Sequence, residues 1–514
     1  MMPLPDRVDV VVVGGGMGGL AAALCAAAGG KRVLLLERDG QLGGKVGTAT
    51  VDGVTFDTGP SVITLPDVID GVLRRTGVPG LSIGDGPEHA LQLVRPTPAF
   101  RYRFANPAAL GVGGDGTVDV FVEMERTIDS VARSLGSQAA TELTSFLRYA
   151  RAIWDVSKDD FVFGSAPTMF DLVRLGLSRP FDMLKVDPLS SMRSAIEARV
   201  TSKALRLLLL RYATYNGSDP LTAPATLNCI AHVELGLGGF GIRGGLSRVA
   251  DVLAEGCRAV GVDLRVGVGV TGLLTDGDRV TGVRVAHGGA DVGVHADAVV
   301  VNADVAHLRH DLLPSVDRVL PRPKTLSMSG ATMVLKARRR RGTGGQGGRV
   351  AHEVLFCDDY RAEFDDIFRR RHGPRSPTVY VCAQELAQER PGWAEHEPLF
   401  VMVNLPALQD GVVDDGAAVL HTARQRLLAA GMIDDDDAVV WQRSSTGLAE
   451  RFAGSRGSLY GAASNDRSSA FSRAANAVAQ RPGLYLASGT AHPGGGVPLC
   501  VQSGVLAAEA LLAR

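Results

Sequence analysis

The 514-residue chain is poor in the residues that build metal sites and disulfide frameworks. Its six cysteines are scattered, and neither a CxxC motif nor a cluster of histidine and cysteine occurs. This spacing predicts no metal site and no disulfide framework, and it favours free thiols in a reducing compartment.

A surplus of one charge and long apolar runs are absent as well. The net charge is −1, so the composition gives no indication of nucleic acid or an acidic partner. No apolar stretch reaches the roughly 18 residues of a transmembrane helix, so we expect none. The N-terminus lacks a basic segment followed by an apolar run, which predicts no signal peptide and a cytoplasmic location. A peripheral membrane contact stays open.

Glycine, in contrast, is abundant, with 63 residues. At that frequency about one GxGxxG match is expected by chance, and the sequence contains six. Only the match that begins at Gly14 lies between a strand pattern and a helix pattern. Val8–Val13 form a β-branched run typical of a buried parallel strand, an alanine-rich helical stretch follows, and KRVLLLE forms a second strand.

This βαβ unit predicts a dinucleotide site. Gly14 permits the tight turn, Gly16 lets the backbone approach a pyrophosphate, and Gly19 lets the helix pack closely on the strand. The free N–H groups at the helix N-terminus can bind phosphate, and Glu37 can accept hydrogen bonds from ribose hydroxyls. A glycine-rich turn without a ligand is the alternative, and the unit alone leaves NAD and FAD both open.

The residues that follow resemble a large group of flavoproteins that includes amine oxidases and carotenoid desaturases. Gly43, Gly44 and Lys45 look like the "GG-Arg/Lys" turn that follows the ribose-binding acid in that group. Phe56–Pro60 look like the family loop that passes near the flavin. The resemblance implies FAD as the cofactor.

The C-terminal stretch, residues 483–513, agrees with that resemblance. LYLAS predicts a strand, GTAHPGGGVP a rigid turn, and SGVLAAEALLA a helix. In the family the last helix points its N-terminus at the pyrimidine edge of the flavin, where its partial positive charge stabilises the reduced, anionic ring. A terminal helix that only packs is the alternative.

The middle of the chain, from residue 240 onward, resembles the second flavin-binding segment of the family. It reads as a helix, one strand over VDLRVGVGVTGLL, a second strand after the turn at residues 276–278, and a third that ends at Asn302. The resemblance places Val268 and Val270 near the adenine.

These segments predict an α/β protein that combines a discontinuous Rossmann-type FAD-binding domain, of the amine oxidase and phytoene desaturase type, with a mixed α+β substrate domain. We expect the FAD-binding domain in residues 1–95, 240–310 and 470–514. The substrate domain is expected in residues 96–239, helical and facing a membrane, and in residues 311–469, whose sheet forms a wall over the flavin. The residues assigned to the cofactor are Gly14, Gly16, Gly18, Gly19, Glu37, Arg38, Gly44, Lys45, Gly59, Pro60, Val268, Val270, Gly489, Gly495 and Val497.

Over its whole length the chain is similar to the carotenoid desaturases of the phytoene desaturase family. The stretches HEVLFCDDYRAEFDDIF, PTVYVCAQ with LFVMVNLPA, and GSLYGAASN look more like hydroxycarotenoid 3,4-desaturases than phytoene desaturases. AHPGGGVPL stands where phytoene desaturases tend to have THPGAGIPG, and this difference counts against an assignment as a phytoene desaturase. The resemblance implies a lipophilic polyene that loses a hydride to the flavin and a proton to its surroundings. Such a substrate implies that the cytoplasmic protein associates peripherally with a membrane surface; the resemblance does not indicate the final electron acceptor.

One side chain is a candidate for catalysis. His492 lies in the turn expected beside the flavin, although a hydrogen-bonded turn residue is an equal alternative, and no dedicated base is evident.

Other functions stay open. They include a phytoene desaturase, a carotenoid oxygenase or ketolase, and a retinoid saturase of the same family. An amine oxidase-type flavoenzyme is a further alternative, although such sites are often caged by aromatic side chains and this chain has only 3 Trp and 8 Tyr. A non-catalytic carrier of prenyl lipids is the last alternative, and bound flavin would decide against it.

Overall fold

The structure of the protein is a computed structural model that describes residues 3–168, 178–179, 182, 185–187, 189–287, 290–340, 348–409, 411–466 and 473–514. The strands are β1 Arg7–Val13, β2 Val33–Glu37, β3 Thr48–Val51, β4 Val54–Asp57, β5 Ile83–Gly84, β6 Leu91–Val94, β7 Phe100–Arg103, β8 Thr117–Val120, β9 Gly241–Ile242, β10 Asp263–Val266, β11 Gly269–Asp276, β12 Arg279–His287, β13 Ala290–Val301, β14 Ser329–Arg338, β15 His352–Leu355, β16 Val379–Ala383, β17 His396–Leu405, β18 Ala438–Arg443 and β19 Leu484–Leu486. The α-helices of five residues or more are α1 Met17–Ala28, α2 Pro66–Arg74, α3 Met124–Leu135, α4 Ser137–Lys158, α5 Met192–Glu197, α6 Lys203–Leu210, α7 Cys229–Leu235, α8 Ser247–Ala259, α9 Tyr360–Asp365, α10 Gln384–Gln388, α11 Gly416–Ala429, α12 Ser445–Arg451 and α13 Val497–Leu512.

The first sheet has the strand order β10-β2-β1-β13-β12-β11, and β19 also pairs with β13. Strands β1, β2, β10, β13 and β19 run parallel. The apolar runs of β1 and β2 are buried, because one set of their side chains packs with helices α1 and α8 and the other set packs with side chains of β11, β12 and β13. Helix α1 is apolar on all sides and is buried between this sheet and α13.

One predicted strand is in fact two. The stretch VDLRVGVGVTGLL forms β10 beside β2 and then β11 beside β12, at opposite ends of the strand order. The break falls at Gly267, whose φ of +71° turns the chain, and its amide donates to the carbonyl of Asp39. Alternating valines and glycines carry a strand pattern through this turn, so the sequence pattern did not reveal it.

The second sheet has the order β18-β14-β17-β16-β15-β7-β8 and is antiparallel except between β15 and β7. Strands β14 and β17 are neighbours in this sheet and pair over ten residues. Two of its strands come from residues 100–120, so the segment expected to be helical also contributes to this sheet.

Helices α3 to α7 pack as a layer against the second sheet, around an apolar core that includes Phe146, Leu205 and Phe356. Within the described part of the chain, no helix is both long and apolar enough to cross a membrane. The predicted α/β class, with a Rossmann-type unit and a mixed second region, is confirmed; the domain boundaries stay predictions.

Candidate active site

A cavity of about 350 Å³ lies where the carboxyl ends of β1, β2 and β13 meet the second sheet. Open α/β sheets bind their ligands at this end of the strands. All residues assigned to the cofactor from the sequence border the cavity except Gly19. Those that border it are Gly14, Gly16, Gly18, Glu37, Arg38, Gly44, Lys45, Gly59, Pro60, Val268, Val270, Gly489, Gly495 and Val497.

The first glycine turn presents bare backbone to the cavity. Gly14 has a φ of +100°, a conformation that a side chain would strain. A Cβ on Gly16 would lie 2.6 Å from Oδ1 of Asn302, which accepts a hydrogen bond from the Gly16 amide at 2.9 Å. Helix α1 begins at Met17 without a side-chain cap, so its first N–H groups are available to an anion.

Gly18 and Gly19 allow close helix packing. A Cβ on Gly19 would lie 2.1 Å from the carbonyl oxygen of Gly14, and one on Gly18 would lie 2.3 Å from that of Ala487. The two residues therefore let α1 approach β1 and the chain that leads to α13. Gly18 also borders the cavity, so it both permits close helix packing and forms part of the cavity wall.

Glu37 ends β2 and is buried at the cavity wall. Its Oε2 accepts from the Gly15 amide at 2.6 Å, and its Oε1 accepts from the Asp39 amide at 2.8 Å. Each carboxylate oxygen has a second lone pair, so the group can still accept from a ligand diol. The Val268 amide donates to the Glu37 carbonyl at 2.8 Å, which brings the start of β11 beside it.

The second glycine turn fits directly against the first. The Gly43 amide donates to the carbonyl of Gly15 at 2.8 Å. Gly44 has a φ of +60°, and a Cβ there would lie 3.2 Å from Cα of Gly16. The two turns together leave a backbone-lined cleft that side chains would fill.

Lys45 follows the second turn and borders the cavity. Its Nζ donates to the carbonyl oxygens of Ser458 at 3.1 Å and Leu459 at 2.6 Å. Burial lowers the pKa of Lys45. These hydrogen bonds hold the loop at residues 458–459, which is distant in sequence, at the wall of the cavity.

The loop after β4 contains a buried hydroxyl that is available for a hydrogen bond to a ligand. Thr58, Gly59 and Pro60 border the cavity, and a Cβ on Gly59 would lie 2.2 Å from the carbonyl oxygen of Lys45. Within the part of the chain that the structure describes, the buried Oγ1 of Thr58 has no hydrogen-bond partner. Buried hydroxyls are normally satisfied, so this atom indicates the place of a ligand's polar group.

The C-terminal turn, which follows β19 of the first sheet, also borders the cavity. Gly489 and Gly495 border it, and α13 begins at Val497. Arg473 donates to the carbonyl oxygens of Tyr460 and Gly489, both at 3.0 Å, and burial lowers its pKa to about 10. A Cβ on Gly495 would lie 2.3 Å from Cδ1 of Tyr460, so only glycine fits there.

His492 is not among the residues that border the cavity. Its Nε2 lies 2.9 Å from the carbonyl oxygen of Gly164, and its own carbonyl accepts from Asn476 at 2.9 Å and Ser503 at 2.7 Å. Burial lowers the pKa of the ring. The catalytic role stays a prediction, and this geometry supports the alternative of a hydrogen-bonded turn residue.

Sequence reasoning missed several residues at the cavity. Asn302 accepts from Gly16 and donates to the carbonyl of Ala487, which ties the first turn to the last strand. Its position after β13 was a usable signal, since polar residues at strand ends face the site. Arg443 and Phe452 border the cavity from the second region, and no sequence motif marked them.

The arrangement fits FAD. Two glycine turns and an uncapped helix N-terminus suit a diphosphate, and the Glu37 carboxylate suits a ribose diol. Thr58 offers an unpaired hydroxyl, and the N-terminus of α13 faces the same cavity. Phe400, Met402 and Tyr460, which belong to the chain after residue 310, also border the cavity.

Comparison with known proteins agrees with this geometry. The model of the family described as flavin-containing amine oxidoreductase matches residues 17–338. The hydroxyneurosporene desaturase of Rubrivivax gelatinosus is 35% identical over 94% of this chain and 89% of that protein. The 1-hydroxycarotenoid 3,4-desaturase of Flavobacterium sp. is 28% identical over 93% of both.

A solved structure supports the fold. An oxidoreductase from Methanosarcina mazei superposes with a TM-score of 0.62 over 98% of this chain and 100% of that one, at 14% identity. The predictions of an FAD cofactor and of oxidoreductase activity are confirmed by the family. The chain therefore belongs to the flavin-containing amine oxidoreductases and, within them, to the carotenoid desaturase family.

Proposed function

We propose that this protein is an FAD-dependent desaturase that forms a C=C bond between carbons 3 and 4 of a hydroxylated carotenoid. The observation that carries the proposal is the similarity, along nearly the whole chain, to relatives with hydroxycarotenoid desaturase names. The cavity adds support, because its glycine turns suit the cofactor and its opposite side is largely apolar.

Bound FAD supplies the hydride acceptor. The chain's own contribution is to position the polyene and to exclude water. Phe400, Met402 and Leu459 offer apolar surface on the side of the cavity away from the glycine turns. The N-terminus of α13 carries a partial positive charge that stabilises negative charge arising beside it. A cation conjugated with a polyene loses its proton readily, so we assign no base.

A peripheral membrane association is part of the proposal. A carotenoid is soluble in the bilayer and not in water, so the enzyme has to collect it at a membrane surface. The layer formed by helices α3 to α7 is our candidate for the membrane-facing side.

The proposal is tested with the purified full-length protein, loaded with FAD and incubated with liposomes that contain hydroxyneurosporene. We expect a red shift of the polyene absorption, because each new double bond lengthens the conjugated system, and flotation of the protein with the liposomes. Retained flavin with an unchanged polyene spectrum would contradict the proposed substrate. A protein that stays at the bottom of the gradient would contradict the membrane association.

A further inference from the structure

A largely buried polar cluster lies between the helical layer and the second sheet, and its residues are not among those that border the cavity. We call it the Arg211 cluster, and its members are Tyr102, Arg211, Tyr212, Tyr215, Glu234, His352 and Tyr380. The Arg211 guanidinium lies between four aromatic rings, with centroids 5.3 to 6.0 Å away. Buried charged groups are normally paired, because their desolvation is costly.

The guanidinium is poorly matched inside the protein. Arg211 is 8% exposed, and its one side-chain hydrogen bond to a described residue runs from Nη1 to the Tyr102 hydroxyl at 3.1 Å. Among the residues that the structure describes, no carboxylate lies within 4.0 Å of it; Glu234 acts on it only from a greater distance. A guanidinium has five N–H donors, so most of them are left for another acceptor.

The Tyr215 hydroxyl beside Arg211 can still accept a hydrogen bond. Tyr215 donates a hydrogen bond to Oε2 of Glu234, and Tyr212 donates one to Oε1 at 3.0 Å. The phenol oxygen of Tyr215 therefore keeps free lone pairs. The Tyr380 hydroxyl lies 2.8 Å from Nδ1 of His352. Burial lowers the pKa of His352 to about 3, so this ring is neutral and leaves the positive charge to Arg211.

The cluster adjoins the cavity. Tyr380 pairs with Met402 across β16 and β17, and directly opposed residues of antiparallel strands point to the same face. Met402 borders the cavity. Tyr215 is two residues from Gly217, where a Cβ would lie 2.7 Å from Cδ2 of Tyr460, another cavity residue.

Accessibility distinguishes members of the cluster. Tyr215 and Tyr380 keep part of their surface accessible, whereas Tyr102 and Tyr212 are completely buried. Tyr215 and Tyr380 therefore form the accessible face of the cluster, and the Arg211 guanidinium lies beside their rings.

We propose that this face and the adjacent Arg211 bind the hydroxyl group of the carotenoid substrate, with Arg211 donating a hydrogen bond to the hydroxyl oxygen and the Tyr215 oxygen accepting one from its O–H group. An alcohol is both donor and acceptor and satisfies both residues; a hydrocarbon end satisfies neither. The inference rests on the proposed function. In a 1-hydroxycarotenoid the hydroxyl lies within about 5 Å of carbons 3 and 4, since each C–C bond is about 1.5 Å long, so its site must adjoin the reaction cavity, as this cluster does.

The test compares kcat/KM for hydroxyneurosporene and for neurosporene, which lacks the hydroxyl, in the same liposomes with the FAD-loaded full-length enzyme. We expect the wild type to prefer the hydroxylated substrate by tenfold or more, since a site built to bond a hydroxyl rejects the analogue without it by factors of up to roughly 10⁴. Tyr215→Phe and Arg211→Gln should each reduce this preference by about tenfold.

Tyr212→Phe is the matched control, because it also removes one phenol bond to Glu234 but faces no accessible space. It should change both kcat/KM values by the same factor and leave the preference intact. Equal losses for both substrates in Tyr215→Phe and Arg211→Gln, or a wild type without preference, would overturn the inference while leaving the desaturase proposal standing. Failure of the wild type to convert either substrate would instead overturn the proposed function.

Discussion

Glu37 is the residue at which a cofactor role can be separated from a structural one. We expect Glu37→Gln to bind FAD roughly tenfold to a hundredfold more weakly. A charged hydrogen bond contributes about 1.5–3 kcal/mol, and every 1.4 kcal/mol is a factor of ten in affinity. Quenching of flavin fluorescence during titration of the apoprotein measures this.

The control is Glu88→Gln, which removes a carboxylate with a 70% exposed side chain outside the cavity. It should leave the Kd for FAD unchanged. Equal affinities for FAD in Glu37→Gln and the wild type would show that Glu37 only stabilises the glycine turn, through its hydrogen bond with the Gly15 amide.

His492 gives a second prediction at this scale. Because its ring bonds the Gly164 carbonyl and does not border the cavity, we expect His492→Ala to keep its flavin and its turnover number. The variant should lose about 1 kcal/mol of unfolding free energy from the broken hydrogen bond, visible as a lower Tm. A large loss of turnover with flavin fully bound would restore the catalytic interpretation.

At the scale of elements, the contact between α1 and α13 positions two helix N-termini at one cavity. The two helices touch at glycines: a Cβ on Gly504 would lie 2.3 Å from the carbonyl oxygen of Gly18 and 2.8 Å from the amide of Ala22. Backbone atoms cannot yield as a flexible side chain can. The approach of these helices therefore depends on Gly504.

We expect Gly504→Ala to lower the unfolding free energy by about 1–3 kcal/mol, as overpacking does, and to weaken FAD binding because both N-termini shift. Gly71→Ala is the matched control, since Gly71 also lies inside a helix but a Cβ there meets nothing within 4 Å. It should be neutral or stabilising by up to about 1 kcal/mol. Thermal unfolding of both variants checks this, and similar losses in both would contradict the packing argument.

The elements also show what the sequence could predict. Strands β1, β2 and β13 and helices α1 and α13 were recognisable, because short apolar runs and glycine turns are local signals. The division of one predicted strand into β10 and β11 was not, since it depends on Gly267 taking a positive φ and bonding Asp39 across the sheet edge.

At the scale of the whole molecule, the cavity is built from residues far apart in the chain. Lys45 bonds the carbonyls of Ser458 and Leu459, more than 400 positions away. Motifs from the first 60 residues were predictable because the chain folds locally there. Arg443, Phe452 and Tyr460 were not, because they reach the cavity only through the second sheet and its loops.

The Arg211 cluster was missed for the same reason. Its members come from β7, the chain after α6, α7, β15 and β16, and each looks like an ordinary helix or strand residue when read locally. Only the packing of the helical layer on the second sheet brings them together.

The most direct test of the central claim is an anaerobic single turnover. The FAD-loaded protein is mixed with hydroxyneurosporene liposomes without an electron acceptor, and the flavin and polyene spectra are followed together. We predict that the oxidised flavin band disappears while one carotenoid per flavin gains one double bond. A flavin that stays bound and oxidised beside an unchanged polyene would contradict hydride transfer from a hydroxylated carotenoid to this cofactor.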